Sequence, residues 1–333
     1  MKQLESPELY AIGWIAALPL EFAAAKAMLE DVHSPPERFE QNPSDDNLYT
    51  WGRVGVHNIV LALLPSGTFG VVAAAHTVAQ LMSSLPHIRI GLLVGIGGGI
   101  PVEGRDIRLG DIVVSDPQGT TGGVVQFDMG RARENSTWEP IGSLHKPPRV
   151  LRQAVSNLRA EHMVEESKVP DLLQSMWERR PKMRQQGNDF TYQGVENDVL
   201  FAANYSHSGD ASCAQCDRSQ TAKRTPRDTT DPVVHYGTIA SGNQLVKSSE
   251  ARQRILDIQK DALCVEMEAA GLMDDFPCLV IRGICDYADS HKNDRWQRYA
   301  AAAAAAYAVE LLEYIPTKGL EATKRAIDVV RGQ

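Results

Sequence analysis

Residues 264–289 read CVEMEAAGLMDDFPCLVIRGICDYAD, and the fold is decided here. Cys278 to Asp286 is a nearly unbroken apolar run, interrupted by Arg282 and closed by Asp286 before polar residues take over. Runs of this kind are strands buried on both faces, as in sheets covered by helices. The first half of the stretch sets Glu266 and Glu268 on either side of Met267, directly after the apolar Leu263-Cys264-Val265. Carboxylates delivered at the ends of buried strands are how α/β enzymes present acids and bases to small substrates. Arg282, inside an apolar strand, needs a carboxylate to be tolerated there. Two acids after an apolar run are costly unless exposed, paired or used. One of them is expected to be salt-bridged or to cap a short helix, Ala269–Met273. The other is then left for a ligand, and a carboxylate accepts both hydrogens of a cis-diol. Burial at the end of the strand would raise the pKa of Asp286, the tuning an acid needs. Asp289 reads as an ordinary loop acid.

The same grammar extends outward. Leu9–Leu18 is a continuous apolar run followed by Pro19 at a first helical position, so a buried strand and then a helix over Leu20–Leu29 are expected, with Glu21 in its first turn. Tyr49–Val56 and Ile59–Leu64 read as strands. Pro65–Gly70 is a tight turn into an alanine-rich helix, Val71–Leu85. Ile88–Val94 is another buried strand, and Gly95-Ile96-Gly97-Gly98-Gly99 after it reads as a loop that lets the backbone approach a ligand. It lacks the third glycine and the helix of a dinucleotide fingerprint. From about residue 119 to 232 the apolar periodicity fades, leaving helices over Pro148–His162 and Asp171–Arg179; this is expected to be a polar insert on the core. The α/β rhythm resumes at Val233–Ser241, Ser248–Lys260 and the alanine helix Arg295–Ile315. One catalytic domain over 1–316 is expected, with a helical tail or linker over 317–333.

Composition narrows the classes. A net charge of -8 argues against a nucleic-acid partner or an anionic membrane surface held by bulk electrostatics. No apolar run is long enough to span a bilayer, and MKQLESPELY lacks the apolar core of a secretory signal. Five cysteines, an odd number, suit reduced thiols in the cytoplasm. Cys213 and Cys216 form a CxxC near His207, but no second CxxC exists. The pair is expected to be incidental, with no metal and no cofactor.

Taken together and in order, Ile12–Glu21, Ser66–Gly67, Val94–Gly99, Gly110–Ser115, ASGNQLV (240–246), VEMEA (265–269) and VIRGICD (280–286) resemble the nucleoside phosphorylase/nucleosidase superfamily. GGVVQFDMG and MEAAGLMDDFPCLVIRGICDYADSHKN resemble fungal members, which often head larger proteins with NTPase or repeat modules. The resemblance implies a three-layer α/β/α fold around a mixed, partly barrel-like sheet. It implies Asp286 as the acid at purine N7, Glu268 on the ribose hydroxyls over Met267, and Glu21 as the base that prepares water, with Arg282 beside it. Ser66, Gly67, Gly97 and Gly98 would border the substrate. Leu245 and Val246 fall where the base is sandwiched, with Phe127 a replacement for the missing aromatic. Where phosphorylases hold phosphate with arginines and a serine, this chain has Glu21, Leu93 and Ile96, so water is the expected nucleophile. The expected activity is a purine nucleosidase acting on adenosine-like nucleosides in a homo-oligomer. Phosphorolysis and a nucleoside sensor without turnover are the alternatives.

Overall fold

The structure is a computed structural model that describes residues 1–132, 138–209 and 212–331. Along the chain run β1 (Ile12–Ala16), α1 (Pro19–Met28), β2 (Asp31–His33), β3 (Tyr49–Val54), β4 (His57–Leu63), α2 (Val71–Ser84), β5 (Ile90–Gly99) and β6 (Ile112–Ser115). Then come β7 (Val124–Gln126), a hairpin of β8 (Gly130–Ala132) with β9 (Trp138–Pro140), α3 (Arg149–Glu161), α4 (Val169–Arg179) and a small hairpin, β10 (Arg184–Gln185) with β11 (Asn188–Asp189). The core resumes with β12 (Val234–Ser241), α5 (Ser249–Ile258), β13 (Ala262–Glu266), β14 (Cys278–Asp286) and α6 (Gln297–Glu313), followed by α7 (Thr317–Ala322) and α8 (Ala326–Arg331).

The sheet runs β13-β12-β6-β14-β5-β1-β4-β3-β2, and β13 also pairs with β5. That last pairing, Cys264 with Gly99 and Val265 with Gly98, closes five strands into a mixed barrel. β1 lies parallel to both β4 and β5, and β14 is parallel to β5 but antiparallel to β6. Strand side chains alternate between two cores. Ile12, Trp14, Leu92 and Ile281 face α1, α3, α4 and α6, whereas Ile15, Leu93 and Val280 share a second core with Ala74, Val78 and Leu81 of α2. Both faces are covered, which is why these strands read as continuous rather than alternating apolar runs.

The glycine run is a correction to the expectation of a loop: Gly95–Gly99 is the second half of β5. Strand geometry persists because the glycines admit neighbours that side chains would displace. A Cβ on Gly97 would lie 3.0 Å from the Val265 carbonyl oxygen, and one on Gly98 2.7 Å from Asp286 Oδ1. The region 119–232 does not stand apart from the core. Leu151, Val155 and Leu158 of α3 and Leu173 and Met176 of α4 belong to the same cluster as α6. At the C-terminal end Leu320 joins the first core and Ala326 the second.

Ala300–Ala306 of α6 is buried, and its small side chains let the helix lie against β14. At the closest point a Cβ on Gly283 would overlap the Ala300 carbonyl oxygen, which the helix cannot withdraw. Gly283→Ala should therefore destabilise the protein by about 1–3 kcal/mol or more through overpacking, read as a lower midpoint in urea unfolding.

Candidate active site

Three chain segments meet at the C-terminal ends of β1, β13 and β14. Pro19 opens α1, and Glu21 in its first turn folds back so that Oε2 accepts hydrogen bonds from Ala17 N and Leu18 N, both at 2.8 Å. Its other oxygen accepts Ile96 N at 2.8 Å, from the glycine-rich half of β5. Glu266 ends β13 and accepts hydrogen bonds from Glu268 N and Ala269 N, so it supplies the cap expected of Glu268. The helix expected there is a single 3-10 turn, Ala269–Gly271.

Arg282 is the hub. It is 1% exposed, pairs with Glu266, lies 3.3 Å from Glu268 Oε2 and 3.9 Å from Glu21 Oε1. A Cβ on Gly95 would overlap both the Glu21 carboxylate and the Arg282 guanidinium, so the strand is glycine where the two must meet. Burial pushes the Glu21 carboxyl above its ordinary value, against the pull of Arg282 and three backbone N–H groups. Burial likewise pushes Glu268 up to about 7, with Arg282 lowering it and Glu266 and Glu21 adding to the rise. Glu268 Oε1 also accepts Gly70 N at 3.3 Å, which ties the start of α2 to the site.

Glu21, Glu266 and Glu268 line a cavity of about 340 Å³, within the range of small-molecule sites. Of the residues singled out in the sequence, Glu21, Gly97, Gly98, Leu245, Val246, Met267 and Glu268 border it. Val246 is buried and Leu245 is exposed at the mouth. Asp128 holds this loop by accepting a hydrogen bond from Asn243 N at 2.7 Å, and Asn243 in turn accepts one from Val71 N, at the start of α2.

Five expected residues are not brought into that cavity, the first being Arg282, which lies behind the carboxylates that it pairs with. Ser66 and Gly67 sit exposed on the turn before α2; Phe69, from the same turn, reaches the cavity instead. Phe127 packs beneath Gly242 and lines a neighbouring cavity with Gln244 and Val246, because β7 carries it to the outer side of that loop. Asp286 is buried one layer behind Gly98. It accepts hydrogen bonds from Lys292 Nζ at 2.7 Å and Ala288 N at 2.8 Å and lines an adjoining cavity, while Lys292 faces the first. Burial alone would lower the Lys292 ammonium, but the Asp286 carboxylate outweighs it and holds Lys292 above its ordinary value. Cys285 donates to Asp286 Oδ2 at 3.1 Å, and burial raises its thiol well above the ordinary value, so it is a packed donor and not a nucleophile.

Phe69, Glu266 and Lys292 are the residues that sequence reasoning missed or underweighted. Only Glu266 carried a signal, its place beside Glu268. Asp289 is no ordinary loop acid: it is 5% exposed, accepts His291 N at 2.9 Å and lies 3.6 Å from Arg252.

A model of the phosphorylase superfamily matches residues 11–315. The chain belongs to that superfamily. It is 41% identical over 317 residues to a nucleotide-binding leucine-rich repeat (NLR)-like protein of Hyaloscypha variabilis, covering 95% of this chain and 30% of that one. It is 25% identical to a 5'-methylthioadenosine/S-adenosylhomocysteine nucleosidase of Mycobacterium bovis, over 92% of this chain and 96% of that one. An 87-residue stretch, 25% of this chain and 17% of the other, is 34% identical to the ATP nucleosidase Cap17 of Escherichia coli. The chain thus spans under a third of its Hyaloscypha relative's length. Among solved structures of this superfamily fold, the futalosine hydrolase of Helicobacter pylori superposes with a TM-score of 0.58 at 18% identity, covering 92% of this chain and 99% of that one.

Arg282→Met leaves the carboxylates of Glu21, Glu266 and Glu268 buried around an apolar side chain. The variant should lose about 3–5 kcal/mol of unfolding free energy in denaturant titration. Only an ionised carboxylate accepts both hydrogens of a diol, so any diol bound by Glu268 should gain affinity as pH rises through about 7 and then level off. Calorimetric titration across that range checks this, with Glu268→Gln expected to be flat.

Proposed function

We propose that the chain is a purine nucleosidase that hydrolyses the N-glycosidic bond of adenosine-like nucleosides to free base and ribose. The observation that carries the proposal is the buried Glu21 carboxylate on the cavity wall, with the nearest cation, Arg282, already engaged by Glu266 and Glu268. A phosphate at that wall would meet a carboxylate and no free guanidinium, whereas a water molecule would meet a base. Burial raises Glu21 toward the range in which a carboxylate removes a proton effectively. The raised pKa also means that activity should climb with pH until Glu21 is ionised.

In this scheme Glu21 takes a proton from water as the water attacks the anomeric carbon. Glu268 holds the ribose hydroxyls above Met267 while positive charge grows on the ring, the two-carboxylate logic of glycoside hydrolysis. The bonding electrons leave with the purine. The Asp286–Lys292 pair neutralises that leaving base, with Lys292 on the cavity side and Asp286 holding it. The phosphorylase-superfamily membership and the nucleosidase named among the full-length relatives support this class of reaction.

A second reading, a substrate phosphorylated at the 5' position, is favoured by Lys247, exposed on the cavity lining, and by the relative named an ATP nucleosidase. Phe69 and Leu245 are exposed at the mouth, and a second copy of the chain covering them in a homo-oligomer is part of the proposal.

Chromatography of products from adenosine, methylthioadenosine, AMP and ATP in phosphate-free buffer decides among these. Adenine release without phosphate is expected. Strict phosphate dependence would overturn the role given to Glu21, and tight binding with no base released would make the site a sensor. Glu21→Gln should lower kcat by about 100- to 10,000-fold, and Asp286→Asn by about 100-fold or more.

A further inference from the structure

The polar region between β11 and β12 gathers side chains for which the proposed hydrolysis has no use. Cys213 and Cys216 flank a short turn, and their sulfurs lie 3.7 and 3.3 Å from His207 Nδ1. His291 arrives from a different part of the chain, the loop just beyond β14. Ligand atoms of His207, Cys216 and His291 all fall within 4.8 Å of one another. Around a tetrahedral zinc, with bonds of about 2.3 Å to sulfur and 2.0–2.1 Å to nitrogen, neighbouring ligand atoms stand roughly 3.3–3.8 Å apart. The two sulfur-to-His207 separations already match; Cys213 is not in that cluster and meets His291 at its backbone carbonyl oxygen, 3.6 Å away, so the fourth ligand comes in by a turn of the Cys213 side chain and the His291 ring toward each other.

A second observation points the same way. His291 is 7% exposed, yet its Nε2 has no hydrogen-bond partner among the described residues. An orphaned ring nitrogen at that depth is costly unless something binds it. Its Nδ1 lies 3.7 Å from Asp289 Oδ1, a carboxylate whose charge favours the proton on that nitrogen and so the lone pair on Nε2. Phe201 stacks on the ring at 4.0 Å and 19°, which fixes its plane. Two thiolates and two imidazoles in a tetrahedral set select zinc over the hard cations, which prefer oxygen.

We propose that Cys213, Cys216, His207 and His291 bind a structural zinc ion that fastens the polar insert to the loop beyond Asp286. The CxxC that looked incidental in sequence lacked its partners only because one comes from the far side of β14. Lys292, which holds Asp286, is the residue after His291, so the ion braces the wall of the site that carries this pair. None of this depends on which glycosidic substrate is cleaved.

The test uses the whole 333-residue chain. After dialysis against zinc and then metal-free buffer, metal content is measured by mass spectrometry and cysteine alkylation is mapped by peptide. About one zinc per chain is expected, with Cys213 and Cys216 alkylated at least about ten-fold more slowly until a chelator is added. Cobalt substitution should give thiolate-to-cobalt charge-transfer absorption, and Cys213→Ser with Cys216→Ser should abolish both signals. If that double variant does not fold, the wild-type alkylation and cobalt spectra still decide. Absence of retained zinc and of protection in the wild type would overturn the site, as would zinc that persists unchanged in the folded serine variant.

Discussion

The guanidinium of Arg282 inside the barrel is the constraint that everything near it satisfies. One positive charge faces the carboxylates of Glu21, Glu266 and Glu268, and all four side chains are buried. A single arginine cannot neutralise them all, so the backbone makes up part of the difference. Glu21 accepts three main-chain N–H groups and Glu266 accepts two. Burial, which the arginine and these N–H groups offset only in part, pushes the Glu268 carboxyl up to about 7 and raises that of Glu21 too. The ion cluster that holds the strands together is therefore also what raises the carboxyls of Glu21 and Glu268.

That cluster exists because the sheet closes. β13 supplies Glu266 at its end, β14 supplies Arg282, and the β13–β5 pairing holds the two strands to the same wall. The glycines of β5 are the price of closure, since Gly95, Gly97 and Gly98 all lie where a side chain would strike Glu21, Arg282, Val265 or Asp286. They act by leaving space within a strand and not by forming a loop.

The far wall is built by other means. Asp286 is turned away behind Gly98 and its charge reaches the cavity through Lys292, on a loop that also carries Asp289 and His291. Tyr287 beside it pairs with Asp198, which also accepts a hydrogen bond from Arg224 at 2.8 Å, so the region 198–224 is stitched to the end of β14 by charged and polar contacts. A polar insert can be well tied down without contributing an apolar core of its own.

Much of this was legible in the linear chain. Continuous apolar runs announced strands covered on both faces, Pro19 announced α1, and a charged residue within such a run, Arg282, announced an ion pair, because these signals depend only on local spacing and on the cost of burying charge. VEMEA and the R-x-x-x-D strand singled out Glu268 and Asp286 by resemblance; Glu268 lines the cavity and Asp286 does not. What the chain could not reveal alone was which groups meet across long separations: that Glu266 is both cap and ion partner, that Phe69 and not Phe127 reaches the cavity, that Lys292 stands between Asp286 and the open space, and that His291 faces the CxxC. Those facts follow from barrel closure and from loop paths, which are set by packing between elements far apart in sequence and leave no periodic trace in the residues themselves.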